Sequence, residues 1–277
     1  MSIRTRAPEF AELSVERLCR AVGVCRSQYY RHSVVPAEPP ELRLIRELRE
    51  KFPRYGYRRV AARLGMAPKR VRILMRRHGM VAKRRPKSPR LPVRFAGGAN
   101  LVKDKRPERQ GQILAFDVTA VRLYGSRWAY FAAALDVFTR ELVGYAVSCR
   151  NDTELVRRAL ESAALNSNLQ PGWIHHSDRG ASYTSHAYLA HIESLEGIAS
   201  FSDPGRPTQN AFIESFFKSF KVEEGGLDIY SDLEDAERAV KAYVELYNTE
   251  RIHSSIGMKP PSTYRQENND KHQPSKT

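Results

Sequence analysis

Apolar residues recur along this chain with two different periods, and the change from one to the other divides it. Over 41–52, "ELRLIRELREKF" carries Leu42, Ile45 and Leu48 three residues apart, the inward stripe of an amphipathic helix. "YGYRRVAARLGMAPKRVRILMRRHG" repeats the helical pattern twice, with Val60, Leu64, Val71, Leu74 and Met75 apolar and Gly65 with Pro68 marking a turn. Upstream, Leu13, Val15, Leu18 and Val22 precede Gly23, and Ser27 lies near the start of a second short helix, so 13–32 reads as a small helix-turn-helix. "VVPAEPPE" then forms a proline-rich hinge.

From 111 the period shortens. "GQILAFDVTAVRL", "RWAYFAAALDVFT" and "ELVGYAVSC" are runs rich in β-branched and aromatic residues, separated by turn residues, and predict three consecutive strands. "DTELVRRALESAAL" predicts a helix capped by Asp152 or Thr153. A short strand "GWIHH", a helix "SHAYLAHIESL", a strand "GIASFS", a helix "TQNAFIESFFKSFKVEE" and a long helix "DLEDAERAVKAYVELYNTER" follow. Three strands and then alternating helices and strands predict an α/β layer around a mixed sheet.

Charge sharpens the division. The net charge is +15 over 277 residues. Between Lys51 and Lys103 there are seventeen Lys or Arg and no Asp or Glu, whereas 111–265 holds fifteen basic and twenty acidic residues. A basic module joined to a mildly acidic one predicts that the first holds a polyanion while the second does something else. Arg70, Arg72, Arg76 and Arg77 decorate the last helix of the basic module, and Lys83, Arg84 and Arg85 open the extended tail "KRRPKSPRLPVR". This pattern predicts duplex DNA contact, the second helix of a helix-turn-helix being the one placed in the major groove. No apolar run is long enough to span a bilayer, and the opening residues carry no apolar signal core, so a cytoplasmic protein is expected, nucleoid-associated when on DNA. Cys19, Cys25 and Cys149 fit neither a zinc site nor a disulfide framework and read as reduced thiols.

The candidate chemistry lies in carboxylates. Asp117 falls in the middle of an apolar strand, on the face of Ala115 and Thr119, where an ionised group is costly unless paired or bound to metal. Asp178 follows the strand "WIHH", the place where ligand sites of open α/β sheets form. On the helix after 210, Ile213, Phe216, Phe217 and Phe220 make the core stripe, and Asn210, Glu214, Lys218 and Lys221 make a polar stripe beside it. Three carboxylates brought together without a cation would repel until one took up a proton. A hard divalent ion, Mg²⁺ or Mn²⁺, relieves that, and two such ions suit phosphoryl transfer. Lys218 and Lys221 would then stand close enough to hold a phosphate.

Asp117 in "FDVT", Asp178 in "HSDRG" and Glu214 in "NAFIESFFKSFK", with thirty-five residues between the last two and Lys221 seven after the glutamate, resemble the DDE triad and basic residue of the IS3-family insertion-sequence transposases, within the retroviral-integrase-like superfamily. "YNTERIHSSIGMKPPSTY", "RYGYRRVAARL…KRVRILMRRHGM" and "LCRAVGVCRSQYYRH" are similar to that family's C-terminal signature, its integrase-associated helix-turn-helix and its N-terminal stretch. The resemblance spans about 13 to 265. It implies an RNase H-like core that cuts and joins DNA at insertion-sequence ends, with metal-dependent attack by water or a 3′-OH and no covalent enzyme intermediate. It also implies a homodimer or larger synaptic complex on element ends and target DNA, and fusion to or pairing with an upstream reading-frame product.

The expected organisation is a helix-turn-helix segment at 1–33, a basic DNA-binding helix-turn-helix at 41–85, a basic linker at 86–110, the catalytic domain at 111–265 and a disordered tail at 266–277. Other residues are read as structural. Asp136 and Asp203 are expected to cap turns, Trp173 and Trp128 to fill the core, and Glu223 and Glu224 to be solvated. His175 and His176 alternate across a strand, placing one inside and leaving His176 as a candidate substrate contact, while His253 suits packing as well as substrate. Two other functions compete: a nuclease or integrase of the same fold that does not transpose, and a non-enzymatic helix-turn-helix regulator. A regulator has no use for the three acids at this spacing.

Overall fold

The computed structural model describes residues 14–21, 23–27, 39–80, 98–103, 105–203, 210–224 and 230–272. Two compact units are distinguished, Met1–Leu44 and Ile45–Thr277. In the first, helix α1 (Val15–Ala21) buries Cys19, and Gly23 takes the left-handed conformation before Arg26 and Ser27 begin a second helical turn. The rest of that expected hairpin lies outside the described residues, as do Lys83, Arg84 and Arg85.

The larger unit is built on a five-stranded mixed sheet. Strands β1 (Ile113–Arg122), β2 (Trp128–Asp136) and β3 (Leu142–Ser148) form an antiparallel meander, and β4 (Ile174–Ser177) and β5 (Ile198–Phe201) add to β1 in parallel, giving the order β3-β2-β1-β4-β5. This is the RNase H-like arrangement expected from the sequence. Helices cover both faces, which is why β2 is apolar at nearly every position and not at every second one. On one face Ile113, Ala115 and Val121 meet Ile213, Phe216, Phe217 and Phe220 of α8 (Ala211–Glu223) and Val240, Tyr243 and Tyr247 of α9 (Leu233–Thr249). On the other, Leu114 and Phe116 meet Val156 and Leu160 of α5 (Thr153–Asn166), Tyr183 of the single-turn α6 (Ala181–Thr184), and Tyr188 and Ile192 of α7 (His186–Ser194). Asp152 caps α5 by accepting from the Leu155 N–H at 3.1 Å, and Asp232 caps α9 through the Asp235 N–H at 2.9 Å.

Helices α2 (Pro40–Lys51), α3 (Tyr57–Leu64) and α4 (Pro68–Arg77) carry the basic module, with Gly65 at φ 64° turning the chain between α3 and α4. Their core of Ile45, Phe52, Tyr55, Val60, Val71 and Leu74 also takes in Ile252, from the segment after α9. Arg70, Arg72, Arg76 and Arg77 all lie on the exposed side of α4. Part of the expected linker is ordered against the sheet edge: the Phe201 N–H donates to Ala99 O at 3.1 Å and the Leu101 N–H to Ser200 Oγ at 2.9 Å.

The chain end departs from expectation. Residues 266–272, part of the tail at 266–277 expected to be disordered, continue helix α10 (Pro261–His272). Pro261 supplies a pre-set first helical position, Arg265 pairs with Glu141 at 3.1 Å, Tyr264 meets the Phe138 ring at 5.6 Å, and Lys259 pairs with Glu267. A polar helix is held here by pairing to its neighbours, a signal that apolar periodicity cannot carry. Among the described residues no helix is long and apolar enough to cross a membrane.

Candidate active site

The sheet register sets the first two acids. Ala115 pairs with His176 across parallel β1 and β4, so Asp117 and Asp178 each lie two residues further along neighbouring strands. Such strands run about 4.8 Å apart. Asp117 remains inside β1, partly buried, while Asp178 lies just past the end of β4 and is exposed. Asp178 turns the chain by accepting the Gly180 N–H on Oδ1 at 2.9 Å, and Asp117 Oδ1 accepts the Val118 N–H at 2.8 Å.

Glu214 comes from α8. The helix is fixed to β1 at the residue before Asp117: Asn210 Nδ2, buried, donates to Phe116 O at 3.0 Å. Glu214 is one turn further along the same stripe, and its Oε2 accepts from Lys218 Nζ at 3.0 Å. Burial pushes the Asp117 carboxyl up to about 7, and Asp178 and Glu214 push it the same way by like charge, against the Val118 N–H and Lys221. Asp117 therefore feels both other acids and the lysine of the expected motif. Among the described residues, however, no three His, Cys, Asp or Glu side chains are gathered closely enough to hold a metal ion.

The electrostatics have a consequence for stability. Asp117 binds its proton more tightly folded than unfolded, so its contribution is largest in acid and is lost as pH rises from about 4 through 7. Asp117→Asn, which cannot ionise, should leave the melting temperature nearly unchanged at or below about pH 4. At pH 8 in chelator it should raise stability by about 2 kcal/mol, roughly 4–8 °C. An equal difference at both pH values in thermal melts would contradict the raised carboxyl.

Several residues differ from expectation. His176, a candidate DNA contact, is buried, with Nδ1 3.0 Å from Ser200 Oγ and Nε2 3.2 Å from Ser202 Oγ. Its ring joins β4 to β5 and its following segment, and no open face remains for DNA. His175 is also buried, stacked on Phe116 at 4.0 Å with Nε2 2.9 Å from Tyr188 Oη, and burial lowers it to about 3, so it is neutral. His253 packs its ring against Tyr247 at 4.9 Å. Glu223, expected to be solvated, has a side chain only 1% exposed and pairs with Arg251. Trp173 fills the core as expected, but Trp128 is 51% exposed. Asp136 is the turn cap it was read to be, accepting the N–H groups of Gly111, Phe138 and Thr139 at 2.6–2.8 Å.

Two residues beside the acids were missed. Tyr183 is buried within electrostatic reach of Asp117 and Asp178; burial, then Tyr188 and the two acids, hold its hydroxyl well above the usual range. Arg179 donates from Nε to Ser202 O and from Nη2 to Gly98 O, both at 2.9 Å, fastening the loop that carries Asp178. Their only signal in the sequence is adjacency to Asp178 in "SDRGASYT".

Comparison with known proteins places this arrangement. A family model described as an integrase core domain matches residues 107–207, and a second with the same description matches 198–261. The transposase for insertion sequence element IS904 of Lactococcus lactis is 35% identical over 140 residues, 50% of this chain; the chain spans 55% of that relative's length. The insertion element IS600 31 kDa protein of Shigella sonnei is 29% identical over 90% of this chain and 97% of its own. Transposase InsF for insertion sequence IS3A of Escherichia coli is 28% identical over 93% of this chain and 96% of its own. The two integrase-core matches run from 107 to 261 without a gap, and the longer alignments carry the likeness through the basic helices that precede them: over nine-tenths of its length the chain is similar to proteins of insertion sequences, a transposase of IS3 among them.

Proposed function

We propose that this chain cuts and joins DNA strands at the ends of an insertion sequence, with Asp117, Asp178 and Glu214 as its catalytic carboxylates. The observation that supports the reading most is placement: Asp117 lies in β1 beside the parallel strand that leads to Asp178, and Asn210 fastens the helix of Glu214 to the residue before it, so that burial and the charges of both acids raise its carboxyl. The three acids are near enough for Asp117 to feel both other charges, and drawing them together would call for cations. Their donors are hard oxygens, which suit Mg²⁺ or Mn²⁺. Bound there, two divalent ions would activate the attacking oxygen and stabilise the departing one.

The residues' own contributions follow from their positions. Asp117, held within strand β1, would be the fixed ligand. Asp178, exposed at a strand end, would be the ligand that meets solvent and substrate. Glu214 would exchange Lys218 for the ions, and the freed ammonium would then serve a phosphate oxygen, as would Lys221. Arg70, Arg72, Arg76 and Arg77 would hold duplex phosphates on α4, with the basic tail beyond it adding to the same field. Element ends and target DNA are the substrates, and bringing two ends together calls for a dimer or larger complex, with an upstream reading-frame product as a further partner.

The test is incubation of labelled element ends with the purified protein and Mg²⁺, with and without chelator. Metal-dependent nicks at the element boundary and joined products are expected. Nicks without joining would favour a nuclease of the same fold, and tight binding without either would favour a regulator.

A further inference from the structure

The tip of the β1–β2 hairpin presents two aromatic side chains to solvent. Tyr124 is 73% exposed and Trp128 51%. Arg122 and Arg127 flank them, both exposed, and no carboxylate occurs between Asp117 and Asp136. Among the described residues neither arginine has an ion-pair partner. Arg127 Nε instead donates to Tyr124 O at 3.2 Å.

This display is built rigidly. Leu123 is buried in the core between the exposed residues, and its N–H donates to Arg127 O at 2.9 Å. Tyr230, leading into α9, bridges the hairpin at Leu123 with two hydrogen bonds: Tyr124 N–H donates to Tyr230 O at 2.8 Å and Tyr230 N–H to Arg122 O at 3.0 Å. Gly125, at φ 73°, closes the turn in a conformation that suits glycine. Arg122 lies directly opposite Trp128, on the face of Ala120, which is itself exposed. Fixed backbone beneath exposed aromatics is the construction of a binding platform, since ordering has already been met in folding.

Resting on the reading of the chain as a transposase, we propose that this hairpin holds the element-end DNA beside the site of cleavage, Tyr124 and Trp128 stacking on an unstacked base while Arg122 and Arg127 take its flanking phosphates. Aromatic faces interleaved with guanidinium groups suit bases and backbone together. Charge argues against a second copy of the chain, because a two-fold contact centred here would set the arginines of one protomer against those of the other. Reach agrees as well. From Asp117 to Arg122 is five residues of β1, about 17 Å at roughly 3.4 Å per residue, an odd step that sets Arg122 on the other face, so the DNA would cross the hairpin tip. That length is about five base steps at ~3.4 Å each.

The experiment uses the full chain carrying Asp178→Asn, so that binding is read without turnover, and element ends with 2-aminopurine at positions two to eight from the cleaved phosphate. Quenching is expected at about the fifth position. The added pair Tyr124→Ala and Trp128→Ala should abolish the quenching and weaken binding about 10-fold. Trp128→Phe with Tyr124 intact should restore both. Equal affinity and equal fluorescence with and without the aromatics would overturn the hairpin contact while leaving the proposed function standing. Failure of every version to bind element ends would instead remove the proposed function. Conversion of an oligomer to a monomer by the alanine pair, with DNA affinity per protomer unchanged, would make the hairpin a self-interface and overturn the inference.

Discussion

Asp178→Asn abolishes cleavage and joining of element ends and leaves DNA binding within about twofold: this is the expected result with the largest functional effect. The substitution keeps the size of the side chain and the oxygen that accepts the Gly180 N–H at 2.9 Å, so the turn after β4 survives. What it removes is one full negative charge at the exposed end of the acidic group. Loss of a hard ligand should cost several kcal/mol of transition-state stabilisation, which is at least about 10³-fold in rate. In the proposed function binding rests on residues other than Asp178, with the arginines of α4 on the duplex phosphates. Its dependence on salt, about 0.9 per phosphate neutralised, should be the same for the variant as for the native chain. The measurement is paired: strand products on labelled ends, and affinity at several salt concentrations. Parallel loss of both, in a variant with a native melting profile, would show that binding and chemistry are not divided between the two modules.

What could be read in advance, and what could not, follows from the range over which each signal acts. The five strands and the helices between them announce themselves within windows of ten or so residues, because a sheet covered on both faces demands apolar runs such as "YFAAALD". Glu214 was legible as the acid on a polar stripe beside Ile213, Phe216, Phe217 and Phe220, and α8 carries that stripe as expected. Long-range contacts decided the rest. Trp128 resembles a core residue in its own strand, and only the clasp from Tyr230, some hundred positions later, shows why the hairpin tip stands out in solvent. His176 looked available because its serine partners, Ser200 and Ser202, belong to β5 and the residue beyond it. Glu223 looked solvated because charge pairs in a helix are invisible to periodicity when the partner is not at i+4.

That partner, Arg251, gives the prediction with the largest effect on stability. Its Nε donates to Glu223 Oε2 at 2.8 Å and its Nη2 to Glu223 Oε1 at 3.0 Å and to Ser219 Oγ at 3.1 Å, with both side chains all but sealed from water. Tyr243 Oη adds a hydrogen bond to Glu223 at 2.9 Å, and the guanidinium lies 5.7 Å from the rings of both Tyr55 and Tyr247. The node therefore fastens α8, the helix of Glu214, to α9 and to the basic module, where Tyr55 Oη accepts the Ile252 N–H at 2.7 Å. Arg251→Ala would strand the Glu223 carboxylate in the interior, at a cost of about 3–5 kcal/mol. The melting temperature should fall by roughly 6–20 °C. Arg251→Lys should recover little, because an ammonium offers neither the two-pronged fork nor the flat face that meets two tyrosines. The pair Arg251→Met with Glu223→Leu should recover most of the loss, since removing both charges removes the desolvation penalty with them. Thermal melts of the four proteins decide the point: if the double substitution is as unstable as Arg251→Ala alone, packing of the arginine stem and not the buried carboxylate sets the cost.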